Sequence, residues 1–259
     1  MIGIFDSGIG GLTVVRELLK HQPEAAFIYL GDTARTPYGN KSPETVVRYA
    51  LEDAAFLVQH GATSLVIACN TASAVASDEL RRVYPNLPVY EVITPAAQDA
   101  LAVTHGRVGV IGTRATISSA AYETALRNST NLPAYRPTSL KIITQSCPLF
   151  VPLVEEGWLK DSETKRIVRY YLAPLRQAHV DTLILGCTHY PLLAPLIQRF
   201  MGKRVKVIDS ARSVVTRLLA AGSLASGEQQ YYLTDLPAHS EDIARKWLGR
   251  SVHFEKAIL

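Results

Sequence analysis

Cysteine is scarce. The 259 residues hold three, Cys69, Cys147 and Cys187, and an odd, sparse set in so long a chain builds no disulfide framework, so a reducing compartment is expected. Long apolar runs are missing too: no stretch approaches the ~18 residues of a membrane span, so no membrane partner is expected. Met1 is followed at once by Ile2-Gly3-Ile4-Phe5, without a basic n-region, apolar h-region or small-residue cleavage site, and the expected location is cytoplasmic. Charge of one sign is in short supply. Lys and Arg number 27 against 23 Asp and Glu, a net charge of +4, and with no dense basic run no nucleic-acid partner is expected. What remains is 47% apolar and 19% charged, an ordinary globular balance. The length suits two domains or one large α/β domain.

Short β-rich runs recur at Ile2–Phe5, Phe27–Leu30, Leu65–Ala68, Val89–Val92, Val108–Ile111, Lys141–Thr144, Thr182–Gly186 and Val205–Ile208. Continuous apolar runs of this length suit strands buried on both faces. Helical spacing lies between them. Gly11–Lys20 and Pro43–Gln59 carry apolar residues three to four apart, with Ser42 placed as N-cap before a Pro at N1. Thr164–Gln177 reads the same way, with Pro174 expected to kink or shorten it. Strands alternating with helices predict an α/β fold of parallel sheets covered by helices.

The pattern also repeats. Ile2-Gly3-Ile4-Phe5 resembles Val108-Gly109-Val110-Ile111, and Leu65-Val66-Ile67-Ala68-Cys69-Asn70-Thr71 resembles Leu183-Ile184-Leu185-Gly186-Cys187-Thr188-His189. Two pseudosymmetric α/β lobes would produce this, although any two strand–loop–helix units share some likeness. The second pair is the more specific, because both copies place a rare Cys one step past an apolar run.

Ligands of open parallel sheets gather at the carboxyl ends of strands. The first such loop, Asp6-Ser7-Gly8-Ile9-Gly10-Gly11-Leu12-Thr13, is Gly-rich, but Thr13 stands where a dinucleotide fingerprint needs glycine, and Asp6 would repel a diphosphate. A purely structural turn is the alternative. The second, Gly31-Asp32-Thr33-Ala34-Arg35-Thr36-Pro37-Tyr38-Gly39, reads as a shaped loop with an exposed aromatic, a candidate lid, or as a surface turn with a packed Tyr. The third and fourth, Cys69-Asn70-Thr71 and Cys187-Thr188-His189, each set a thiol at a strand end before a helix start, where a lowered pKa is expected. Cys147 lacks those neighbours and reads as structural or as standing in the shell behind the site.

Zinc would want more ligands than two thiols, and no Cys-x-x-Cys supports a redox pair. A single nucleophile with a His base leaves one Cys unused. Two matched thiols facing one carbon from opposite sides suit stereoinversion: one removes a proton, the other delivers one, and reversibility asks for groups of similar proton affinity.

These loops, together with Val108–Thr116 and Cys147-Pro148-Leu149-Phe150-Val151-Pro152-Leu153-Val154-Glu155-Glu156-Gly157, resemble the glutamate racemase family over about residues 2–210. The resemblance implies a cofactor-independent enzyme that interconverts L- and D-glutamate and supplies D-glutamate for peptidoglycan. It implies two pseudosymmetric lobes, each a mostly parallel sheet flanked by helices, with the site in the cleft between them. Carried over by position, Cys69 is the base acting on D-glutamate and Cys187 the base acting on L-glutamate, Asp6 stands beside the first thiol and His189 beside the second. Ser7, Tyr38, Gly39, Asn70, Thr71, Thr188 and His189 match substrate-binding positions, as does Asp6. Asp32, Glu155 and Thr113 are expected in a supporting shell. A homodimer is implied by the family alone. The lobes are expected to comprise residues 1–93 with 207–259, and 94–206. An aspartate racemase, or a non-catalytic amino-acid-binding module of two α/β lobes, are the rival readings.

Overall fold

The computed structural model describes residues 1–129, 139–222 and 224–259. Two sheets carry the chain. The first has the order β10-β9-β2-β1-β3-β4, built from β1 (Ile2–Asp6), β2 (Phe27–Gly31), β3 (Ser64–Ile67), β4 (Val89–Glu91), β9 (Gln229–Leu233) and β10 (Glu255–Lys256). The second has the order β6-β5-β7-β8, from β5 (Arg107–Gly112), β6 (Lys141–Ser146), β7 (Thr182–Gly186) and β8 (Lys206–Asp209). Every pairing within both sheets is parallel. All eight strands expected from the apolar runs are present, within a residue or two at their ends.

The repeat in the sequence is a repeat in space. The order β2-β1-β3-β4 in one sheet is matched by β6-β5-β7-β8 in the other. Register agrees as well: Gly3 pairs with Leu65 across β1 and β3, and Gly109 with Leu183 across β5 and β7. Those are the residues that align in the two repeats.

Both faces of the first sheet are covered, which is why its strands read as continuous apolar runs. Phe5, Ile28, Leu30, Leu65 and Ile67 point into a core under α2 (Pro43–Gln59) and α3 (Asn70–Val83). Ile4, Phe27, Tyr29 and Val66 point to the other face, toward α1 (Leu12–His21) and a larger core that continues through α4 (Ile93–Val103) and α10 (Ser210–Ala220) into the second lobe. The Ser42 hydroxyl caps α2 by accepting from the Thr45 N–H at 3.4 Å, with Pro43 at its first position.

The structure adds to the sequence reading at three points. The helix expected over Thr164–Gln177 is present as α8 (Ser162–Gln177), with Pro174 inside it and without shortening. Pro174 sits in the last turn, on an exposed side beside an exposed Tyr170, where water can satisfy the carbonyl that the ring leaves unbonded. The boundary expected at 206/207 cuts β8, which pairs with β7 in the second sheet, so we propose that the chain returns to the first lobe after Asp209. Last, the C-terminal segment supplies two strands and the helix α11 (Ser240–Leu248), which packs on α1. Gln229–Leu233 alternates polar and apolar too weakly to announce a strand. No helix among the described residues is long and apolar enough to cross a membrane.

The C-terminal strand is tied to the first sheet by Tyr231, whose ring meets Phe27 edge-on at 5.3 Å and Phe254 at 6.1 Å. Replacing a buried aromatic by Ala costs about 3–5 kcal/mol. Tyr231→Ala is expected to lower the urea midpoint accordingly, and an unchanged midpoint would show that β9 contributes little to the first lobe.

Candidate active site

The carboxyl ends of β1 and β3 in one lobe face those of β5 and β7 in the other. Between them lies a small enclosed cavity of about 30 Å³. Cys69 and Cys187 both line it, with Ser7, Tyr38, Gly39, Asn70, Thr71, Thr113, Thr188 and His189. Thr36, Pro37 and Val151 line it too, and no motif pointed to Val151. Asp6 lies just beneath, fully buried, where its Oδ1 accepts from the Thr188 hydroxyl of the opposite lobe at 3.4 Å. Glu155 reaches the site through His189. Asp32 stands behind the Tyr38 ring rather than in the cavity. Cys147 is buried away from it, and its carbonyl accepts from Tyr190 Oη at 2.8 Å.

The glycines after Asp6 serve close approach. A Cβ on Gly10 would stand 2.4 Å from the His189 ring and from Thr188 Oγ1, so a glycine there lets the first lobe press against the second. The Thr13 hydroxyl adds a bond across the seam, donating to the Thr188 carbonyl at 2.9 Å.

The two thiols have unlike surroundings. Cys69 caps α3, and its sulfur accepts from the Ala72 N–H at 3.4 Å and lies 3.6 Å from Ser7 Oγ. Yet its pKa is pushed up to about 12, by burial first and by the neighbouring Asp6 carboxyl second, against the smaller pull of the Ala72 N–H and the Ser7 hydroxyl. The helix start was expected to lower it; desolvation wins because the thiol is 5% exposed. Cys187 opens no α-helix. It leads into a turn and a short 3₁₀ stretch, Tyr190–Leu193, and its sulfur lies 3.9 Å from His189 Nδ1.

His189 joins that thiol to a carboxylate. Its Nε2 meets Glu155 Oε1 at 3.0 Å, from the end of α7 (Phe150–Glu155). Burial pulls the imidazole pKa down, but the hydrogen bonds and charges of Cys187 and Glu155 outweigh it and raise the pKa to about 10. Trp247 of α11 meets the His189 ring edge-on at 5.7 Å, a contact that no sequence signal announced. Asp6 is likewise raised, by burial, with the His189 charge as the main opposing pull.

The remaining polar residues bind the lobes together. Asn70 Oδ1 accepts from Tyr122 Oη of the second lobe at 2.6 Å, and its Nδ2 donates to Ser210 Oγ, where the chain returns, at 3.3 Å, so both ends of this amide are already engaged. Thr71 Oγ1 is 3.0 Å from Thr113 Oγ1 and 3.2 Å from Thr116 Oγ1. Of the two readings of the second loop, the structure takes the packed one: the Tyr38 ring is fully buried, and the turn's edge meets the cavity. Among the described residues no three His, Cys, Asp or Glu are arranged to hold a metal ion.

Two thiols are thus presented from equivalent strand ends of the two lobes, with an acid beside one and an imidazole beside the other. The chain belongs to the Asp/Glu/Hydantoin racemase family, whose model matches residues 12–218. Within that family its relatives are glutamate racemases. The enzyme of that name from Geobacter metallireducens is 48% identical, covering 96% of this chain and 92% of its own. That from Aquifex aeolicus is 46% identical, covering 97% and 95%. Among solved structures, the Bacillus anthracis glutamate racemase isoform RacE1 superposes with a TM-score of 0.92 at 37% identity, covering 100% of this chain and 97% of that one. The Francisella tularensis glutamate racemase in complex with D-glutamate gives 0.89 at 33%, covering 99% and 97%.

The His189 pair has a pH signature. A group whose pKa rises on folding stabilises the fold fully below its unfolded value, near 6.5, and loses that contribution as pH climbs through about 10. Glu155→Gln removes one of the causes, so the His189 resonances in an NMR titration are expected to move at lower pH, and stability is expected to fall less between pH 6.5 and 10. An unshifted titration would detach Glu155 from the imidazole.

Proposed function

We propose that the protein interconverts L- and D-glutamate by two-base chemistry at the α-carbon, without a cofactor, and supplies D-glutamate for peptidoglycan in the cytoplasm. The observation that carries this reading is the convergence of Cys69 and Cys187 on one cavity from opposite lobes. Cys187 takes the α-proton of L-glutamate, and Cys69 delivers a proton to the opposite face; D-glutamate runs the reverse.

The surroundings suit those roles. Cys69, holding its proton tightly against burial and Asp6, starts as the donor. Cys187 has the His189 imidazole 3.9 Å away, a counter-ion for the thiolate that must form before proton abstraction. When the reaction runs from the D side, Cys69 carries the negative charge, and the Ala72 N–H and the Ser7 hydroxyl receive it. Hydroxyls of Ser7, Thr71 and Thr188, and the backbone of the Tyr38–Gly39 turn, surround the place where the substrate carboxylates would sit. The α-proton is far less acidic than a thiol, so the carbanion-like transition state needs a water-poor site. A cavity of about 30 Å³ has room for one or two waters, not for an amino acid. The lobes therefore separate to admit substrate and close on it for the chemistry. A homodimer accompanies this reading as a family trait.

The test is chiral analysis of glutamate incubated with the protein and no added cofactor. In D2O at low conversion, product should carry solvent deuterium while recovered substrate stays mostly protiated. Equal early labelling of both pools would mean one shared base. Cys69→Ala and Cys187→Ala are each expected to lower kcat by about 10²–10⁴, the usual range for loss of a general acid or base, whereas Cys147→Ala should keep most activity. Turnover of aspartate at a comparable rate would move the substrate assignment.

A further inference from the structure

Behind the Tyr38–Gly39 turn lies a buried cluster with one proton too few. Tyr38 Oη is 2.5 Å from Asp32 Oδ2 and 2.9 Å from Asp53 Oδ2. A phenol has one proton to donate, so only one of these contacts is a hydrogen bond from Tyr38. The other sets one carboxyl oxygen against a phenol oxygen with no proton left to give, and is attractive only if that carboxyl itself brings a proton. All three residues are fully buried, so no bulk water relieves the clash.

The remaining partners decide which acid is neutral. Asp32 accepts from Arg35 Nε at 2.6 Å and, on its other oxygen, from the Thr234 hydroxyl at 2.8 Å. Asp32 thus has a donor on each oxygen besides Tyr38. Asp53 has, among the described residues, only Arg35 Nη2 besides Tyr38, at 3.1 Å, and the same guanidinium also binds Glu52. One cation thus faces three carboxyl groups.

We propose that Asp53 is held as a carboxylic acid that donates to Tyr38 Oη, while Tyr38 donates to Asp32, and that this chain makes Asp53 a positioning residue for the substrate-facing Tyr38–Gly39 turn. The proposal rests on the reading that this turn meets the substrate. Burial, with the Asp32 charge adding to it, pushes the Asp53 carboxyl well above the usual range, against the weaker pulls of Tyr38 and Arg35. The groups facing it are Asp32 and Arg35 from the loop after β2, Tyr38 from the turn, and Glu52 from α2, with Arg35 itself lying 4.1 Å over the Tyr49 ring. The effect reaches the cleft because the turn has no slack. A Cβ on Gly39 would stand 2.8 Å from Thr113 Cβ of the opposite lobe, so a rotation of Tyr38 moves backbone that touches both the cavity and the second lobe.

Three variants of the full chain test this: Asp53→Asn, Asp53→Ala and Tyr38→Phe. A carboxamide reproduces a neutral acid, donating to Tyr38 Oη and accepting from Arg35. Asp53→Asn is therefore expected to hold KM for glutamate within about threefold, while Asp53→Ala and Tyr38→Phe raise it about tenfold with a smaller change in kcat, one buried hydrogen bond's worth. As pH rises through the Asp53 titration in the parent, the new charge repels Asp32 and KM climbs; in Asp53→Asn that component of the alkaline limb should vanish. The proton itself is read by infrared difference spectroscopy, where the parent's protonated-carboxyl carbonyl band should be missing from Asp53→Asn. Absence of that band in the parent, or a KM as poor in Asp53→Asn as in Asp53→Ala, overturns the proposal. If the parent fails to racemise glutamate, the functional reading falls separately, and the infrared band still decides the proton.

Discussion

Exclusion of water from the seam between the two sheets governs this molecule. Asp6, Cys69, Cys187, Thr188 and His189 converge there with 6% exposure or less, and each must find partners inside the protein or give up its charge. Asp6 and Cys69 are pushed toward their neutral forms. His189 is the exception: with Cys187 on one nitrogen and Glu155 on the other, the charged imidazole is solvated by protein instead of water. The same dryness that makes these groups costly to bury makes their charges strong when they act on a reacting carbon.

The pseudosymmetry of the backbone therefore does not extend to the electrostatics. Strand order and register repeat between the lobes, which is how two cysteines come to face one cavity. Their neighbours do not repeat. Cys69 has a helix start, a serine and a buried acid; Cys187 has an imidazole backed by a carboxylate. On the proposed two-base reading, two differently built supports serve one purpose if each stabilises its own thiolate only when the substrate arrives. Asp6 touches both halves, raising Cys69 and bonding Thr188 next to His189.

Much of this was legible in the residues, for identifiable reasons. Parallel strands buried on both faces leave unbroken apolar runs, so Ile2–Phe5 and Thr182–Gly186 announce themselves. The ends of those runs mark where ligands gather, so Asp6, Cys69 and Cys187 could be named in advance. What stayed hidden depends on contacts distant in sequence. Pro and Gly flanking Tyr38 left an exposed and a packed ring both open; Asp32, six residues before, and Asp53, fifteen after, draw it inward. Asn70 reads as a substrate ligand, and its partners Tyr122 and Ser210 lie in segments that carry no motif. Trp247 comes from a helix that ordinary amphipathic spacing describes, with nothing to say that it ends against His189. The thiol pKa failed for a different reason: helix polarity is local and readable, whereas burial is a property of the whole fold.

The closed cleft also bounds the cost of opening it. Among the described residues, polar ties across the seam include Thr13 to Thr188, Asp6 to Thr188, Asn70 to Tyr122, Ser210 to the Leu185 carbonyl, and the Thr71–Thr113–Thr116 cluster. Exchanged for water, bonds of this kind are worth about 0.5–1.5 kcal/mol each, a total of a few kcal/mol. On the proposed reading, in which the lobes part to admit substrate, a gap of that size leaves a minor open population at equilibrium. The apolar core runs through α4 and α10 from one lobe into the other and joins them. On the same reading, a substrate that replaces the lost threonine and asparagine contacts with its own carboxylates closes the lobes again, and binding energy goes into restoring the dry seam.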